Sequence, residues 1–159
     1  MGEREYLYWL CQIPSLGAVS IRKLEAYFGS FESAFYNIEE SRLKSCNILN
    51  QKQIADILDW KSRFPVCCES LMKLPERGIR FLTPLEEGYP LKLKEIYDYP
   101  MGIYVRGKLP DGAKPSVAVV GARGCSAYGE QLAHEFARAL AAEGVQIISG
   151  LARGIDGAG

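Results

Sequence analysis

Apolar residues recur at helical spacing through the first part of the chain. Over 3–13, Tyr6, Leu7, Leu10 and Ile13 share one helical face, and Pro14 ends the run. A second helix is predicted over about 20–29 with Ile21, Leu24, Ala26 and Phe28, and Ser30 is placed to cap a third that turns Phe31, Ala34 and Phe35 inward. A short helix over 39–44 follows. Asn50 then caps a longer one whose Ile54, Ile57, Leu58 and Trp60 form the apolar side. Five short helices in residues 1–64 predict a small bundle.

Beyond it the pattern shortens. A helix over 66–78, loosened by Pro75, leads into a strand at 79–82; 83–90 is turn-rich, 91–96 makes one helical turn, Pro100 breaks it, and 103–106 is a short strand before the 107–115 turn. The run 117–120 is β-branched and bounded by Pro115 and Gly121, which predicts a strand buried on both faces. Leu132, Phe136 and Leu140 then recur every four residues beside Ala133 and Ala137, with Gly144 as the C-terminal cap, and 145–149 is a second β-branched run stopped by Gly150. Strand, helix and strand make one βαβ unit with parallel strands and a right-handed crossover. The expected class is α/β: a helical domain at 1–64 and the beginning of a parallel sheet at 65–159, divided near Phe64-Pro65. Asp156 is placed to cap a next helix, and a parallel sheet needs both faces covered, so the chain is expected to be a fragment of a longer one.

Two loops fall at the carboxyl edge of those strands, Gly121-Ala122-Arg123-Gly124 and Gly150-Leu151-Ala152-Arg153-Gly154. Ligands of open α/β sheets bind at that edge, and glycines with free amides and an arginine suit an anion. The candidate phosphate-binding residues are Gly121, Ala122, Arg123, Gly124, Ser149, Gly150 and Arg153. A dinucleotide site is disfavoured: the glycines stand at 121, 124 and 129, and the second strand ends in Ser149 where an acidic residue would hold a ribose. A P-loop is disfavoured more strongly, because Glu130 and Gln131 replace its lysine and hydroxyl residue.

Composition narrows the partners. The formal net charge is zero, so any nucleic-acid surface must be a local patch. Cysteines at 11, 46, 67, 68 and 125 form no Cys-x-x-Cys pair and suit neither a disulfide framework nor zinc, which predicts reduced thiols and a cytoplasmic protein without cofactor or metal. Nothing approaches a membrane span in length. His134 has no nucleophile in view, Cys125 has no placed base, and Tyr128 is a candidate either for stacking on a base or for a core or hinge position. No residue set reads as catalytic.

Val-Ala-Val-Val-Gly-Ala-Arg at 117–123, Tyr128-Gly129 and Ile-Ser-Gly-Leu-Ala-Arg-Gly-Ile-Asp at 148–156 resemble the core of the DNA-processing protein A (DprA, or Smf) family. Tyr89-Pro90, Leu93, Ile96, Pro100 and Tyr104-Val-Arg-Gly107 resemble that family's lead-in, and Ile13-Pro-Ser-Leu-Gly17 with Leu24-Glu-Ala-Tyr-Phe-Gly-Ser30 resembles its N-terminal domain. The resemblance implies a sterile-alpha-motif-like bundle before the first half of a Rossmann-like sheet. It also implies a non-enzymatic protein that binds and protects single-stranded DNA, loads the RecA recombinase in natural transformation, and is a homodimer when complete. Arg123, beside Gly121 and Ala122, is the DNA-pocket arginine so implied. The turn 13–17 is similar to a helix-hairpin-helix, yet Ser15 stands where its first glycine belongs, so packing or protein contact is expected there. An alternative is a nucleotide hydrolase of the related lysine-decarboxylase-like or phosphoribohydrolase group, whose Pro-Gly-Gly-x-Gly-Thr signature would fall after Gly159.

Overall fold

The computed structural model describes residues 2–159. Two compact units divide between Lys108 and Leu109.

The first unit begins with α1 (Glu3–Gln12), α2 (Ala18–Phe28), α3 (Phe31–Asn37), α4 (Glu40–Ser45) and α5 (Gln51–Lys61), followed by α6 (Phe64–Lys73) and a 3-10 turn at Pro75–Arg77. Local chemistry explains most of these boundaries. Ser30 Oγ accepts the Ser33 amide at 2.9 Å, and Asn50 and Gln53 exchange reciprocal side-chain bonds at 2.9 and 3.0 Å, each satisfying amides the helix itself leaves free. Gly29 closes α2 in the left-handed region at φ 86°. The helix starts at Ala18, two residues before its expected beginning, because Gly17 in extended backbone is the break.

The core gathers aromatic rings from three helices. Tyr6 stacks on Phe64 with centroids 5.0 Å apart, Trp9 meets Phe35 edge-on at 5.2 Å, and Phe35 packs on Phe64 at 4.4 Å. Trp9 is fully buried and donates Nε1 to the Trp60 carbonyl at 2.7 Å. The one buried hydroxyl without a partner among the described residues is Ser15 Oγ, in the turn ahead of α2.

The expected boundary at Phe64-Pro65 therefore falls inside a continuous core. Pro65 sits in the first turn of α6, where its missing N–H costs nothing, and α6 packs along α1. The unit continues through β1 (Ile79–Leu82), α7 (Leu91–Lys94) and β2 (Ile103–Arg106), with β1 and β2 paired antiparallel from Ile79 opposite Arg106 to Leu82 opposite Ile103. Buried Tyr89 bonds the Pro100 carbonyl at 2.6 Å, so the Tyr-Pro segment closes this unit.

The second unit holds β3 (Ser116–Ala118), α8 (Ala127–Ala142), β4 (Gln146–Ile148) and α9 (Ile155–Ala158). β3 and β4 are parallel, Ser116 opposite Gln146, and the Val119 amide extends the ladder to the Ile148 carbonyl at 2.9 Å. Ser126 caps α8 through the Gly129 amide at 3.1 Å, and Gly144, at φ 80°, follows its end. Two expectations fail here. The strand at 117–120 is not buried on both faces: Val117 is exposed and Val120 is 69% exposed. Phe136 does not face inward but stands 65% exposed, while neighbouring Ala137 is buried.

Candidate nucleic-acid interface

Both arginine loops leave the carboxyl ends of β3 and β4, which the parallel register puts on one edge. Their backbones lie against each other. A side-chain carbon on Gly154, itself at φ 93°, would stand 2.2 Å from the Ala122 carbonyl oxygen and 2.8 Å from that of Arg123, so only glycine fits. The Ile155 amide donates to the Ala122 carbonyl at 3.3 Å. Gly121 is equally constrained, since a Cβ there would meet the Ile155 side chain at 2.8 Å.

Asp156 sits among these contacts in a way that composition did not reveal. It does not cap α9, whose N-cap is Gly154 with no side-chain bond. Instead its Oδ1 accepts the Gly121 amide at 2.9 Å, and a Cβ on Gly150 would lie 3.0 Å from its Oδ2. Ser149 Oγ donates to the Asp156 carbonyl and accepts the Leu151 amide at 3.2 Å, which places Ser149 in the scaffold of the loop. Leu151 takes a left-handed conformation at φ 51° and is 84% exposed.

Arg123 and Arg153 are both exposed, and no ion pair or hydrogen bond to either occurs among the described residues. Their guanidinium groups are free for an external anion. Ala122 and Gly124 are exposed beside Arg123, and a Cβ on Gly124 would meet open space. Tyr128, in the first turn of α8, is 70% exposed, which removes the core alternative for it. His134 is exposed in mid-helix, and no group of His, Cys, Asp and Glu suited to a metal occurs among the described residues. All five cysteines are free thiols. Burial pushes the Cys11 thiol up to about 12, and the thiols of Cys67 and Cys68 are raised by burial as well, the opposite of nucleophile activation.

The first unit has a cleft of about 490 Å³ with Leu71, Met72 and Phe81 in its walls. Its charged rim is partly self-satisfied: Arg4 donates to the Phe81 carbonyl at 2.8 Å and faces Glu86 at 3.6 Å. The arginine loops, by contrast, carry guanidinium groups without a partner among the described residues. No helix among the described residues is long and apolar enough to cross a membrane.

Comparison with known proteins agrees with this architecture. Residues 80–159 match the model of the family described as DNA recombination-mediator protein A. The chain is 31% identical over 162 residues to Protein Smf of Synechocystis sp., covering 98% of this chain and 40% of that protein. It is 35% identical over 97 residues to the DNA processing protein DprA of Bacillus subtilis, covering 59% and 32% respectively. The crystal structure of DNA processing protein A from Streptococcus pneumoniae superposes with a TM-score of 0.68 at 26% identity, over 97% of this chain and 51% of that one. The chain thus spans about two fifths of the Synechocystis protein's length. A family match over half of the residues, on a fold shared with a solved relative, establishes that the chain belongs to the DNA recombination-mediator protein A family.

Proposed function

We propose that this chain takes part in binding single-stranded DNA and in handing it to a RecA recombinase during DNA uptake. The observation that carries the proposal is the pair of unpaired, exposed arginines, Arg123 and Arg153, on two abutting loops at one edge of a parallel strand pair. A flexible strand can lay successive phosphates along such a rim, with exposed Tyr128 offering a face for a base. The role makes and breaks no covalent bond. Pairing with a second copy of the chain is part of the same proposal.

The nucleotide-hydrolase alternative is the weaker reading, because the crevice between the strand ends, where a mononucleotide phosphate would lodge, is taken by the Asp156 carboxylate.

The test is a salt titration of this chain against single- and double-stranded oligonucleotides, with and without Arg123→Ala. Single-strand affinity is expected to fall by about 0.7 log unit per log unit of salt for each phosphate neutralised, and Arg123→Ala to reduce that slope by about one such step. An unchanged slope in the variant would mean that Arg123 touches no phosphate. Base release from a nucleoside monophosphate would favour the hydrolase.

A further inference from the structure

We propose that Asp156 is the positioning residue of this rim: its carboxylate, seated between the ends of β3 and β4, holds the Arg123 loop against the Arg153 loop through the Gly121 amide. The inference rests on the DNA-binding reading for its consequence, though not for its geometry.

Three ties join residues 154–156 to the strand ends. The Ile155 amide reaches the Ala122 carbonyl at 3.3 Å, Ser149 Oγ reaches the Asp156 carbonyl, and Asp156 Oδ1 receives the Gly121 amide at 2.9 Å. The third is the strongest in kind, since an ionised acceptor makes a charge-assisted bond. It is also the tie that reaches the amide two residues ahead of Arg123. The second oxygen, Oδ2, lies against Gly150, where any side chain would crowd it, so one carboxylate bears on the exits of both strands.

That place has a chemical meaning. In open α/β sheets the crevice outside the strand ends receives a phosphate, held by backbone amides. Here the chain supplies its own anion to that position and its own amide as the donor. A mononucleotide phosphate entering there meets like charge and an amide already engaged. A polymer strand does not need the crevice, because the arginines stand outside it. Asp156 thereby limits the motion of the Arg123 loop before any strand arrives, and a loop ordered in advance loses less freedom on binding.

The experiment compares the 159-residue chain with its Asp156→Leu, Asp156→Ser and Asp156→Asn variants, using amide hydrogen exchange at Gly121 and the affinity for a labelled oligothymidylate at fixed salt. Leucine keeps the branched shape, with more bulk, but accepts no hydrogen bond; asparagine keeps Oδ1 as an acceptor at nearly the original size. Asp156→Leu is expected to accelerate Gly121 exchange and to weaken oligothymidylate binding, each by about tenfold, and Asp156→Asn to restore both to within about threefold. Asp156→Ser removes the acceptor without adding bulk, so faster Gly121 exchange in both the leucine and serine variants, with rescue by asparagine, assigns the effect to the lost bond and not to crowding. Should the leucine variant unfold the second unit, Asp156→Ser, too short to reach the amide, takes its place. Equal Gly121 exchange in the parent and the leucine variant overturns the proposal, and so does faster exchange with unchanged affinity. If the parent chain itself has no affinity for oligothymidylate, the DNA-binding reading falls, and the exchange comparison alone then decides whether Asp156 fixes the loop.

Discussion

The two units differ in how much of their apolar content they bury. In the first, Tyr6, Leu7, Trp9 and Leu24 are almost wholly excluded from water; in the second, Val120, Phe136 and Leu151 stand in it. Helices packed from several directions close a core within residues 2–108, whereas two parallel strands with one long helix leave much of the sheet without a partner layer. The difference teaches that hydrophobic content alone does not measure how self-sufficient a segment is. Topology decides, because a helical bundle can be complete in a short stretch and a parallel sheet cannot.

The contrast can be broken most directly at Trp9. Trp9→Ala removes a buried ring and its bond to the Trp60 carbonyl, and is expected to cost about 3–5 kcal/mol in urea unfolding of the first unit. A loss under about 1 kcal/mol would show that the aromatic core is looser than its geometry.

A second probe uses pH. The Cys11 thiol, raised by burial from 9.0 to about 12, binds its proton more tightly in the folded chain than in the unfolded one. Its contribution is fully present below pH 9 and is lost as pH climbs toward 12, amounting to about 2 kcal/mol by about pH 10.5. Cys11→Ala should flatten the alkaline limb of a stability profile; identical profiles would reject burial of the thiol as its cause.

Gly102→Ala sharpens the comparison by overpacking. The new methyl would fall 2.1 Å from Cζ of buried Phe81, and a destabilisation of about 1–3 kcal/mol is expected from the unfolding midpoint. The smallest effect belongs to the second unit, where Phe136→Ala should change stability by no more than about 0.5 kcal/mol. A larger loss at Phe136 would mean that this ring is covered in solution and that the contrast between the units is overstated.

What could be read from the residues was local. Ser30, Asn50 and Gly29 mark helix ends because each acts within three or four positions of itself. The parallel strand pair followed from two β-branched runs around a helical period, and the arginine loops from the glycines that end them. What escaped was set at a distance. Glu3, on α1, accepts the Phe31 and Glu32 amides at 2.7 and 3.1 Å and so caps α3 from far along the chain, which no window of neighbouring residues can display. The division between the units escaped because a proline in a first helical turn looks the same in sequence as one in a linker. Asp156 was assigned to its own helix when its partner is Gly121, 35 residues earlier. The stripe of Leu132, Phe136 and Leu140 told which helix was amphipathic, but not which edge of the stripe a narrow sheet would accept.

Consecutive side chains at the beginning of α1 have one more implication. Glu3 holds the start of α3, while Arg4 reaches the Phe81 carbonyl, 77 residues ahead. During synthesis the first helix can find its early neighbour soon after emerging, but Arg4 must wait until the strand around Phe81 has left the ribosome. The Arg4 tie is therefore expected to form only after α3 and α6 have already packed on α1, as the last fastening of that helix and not its first.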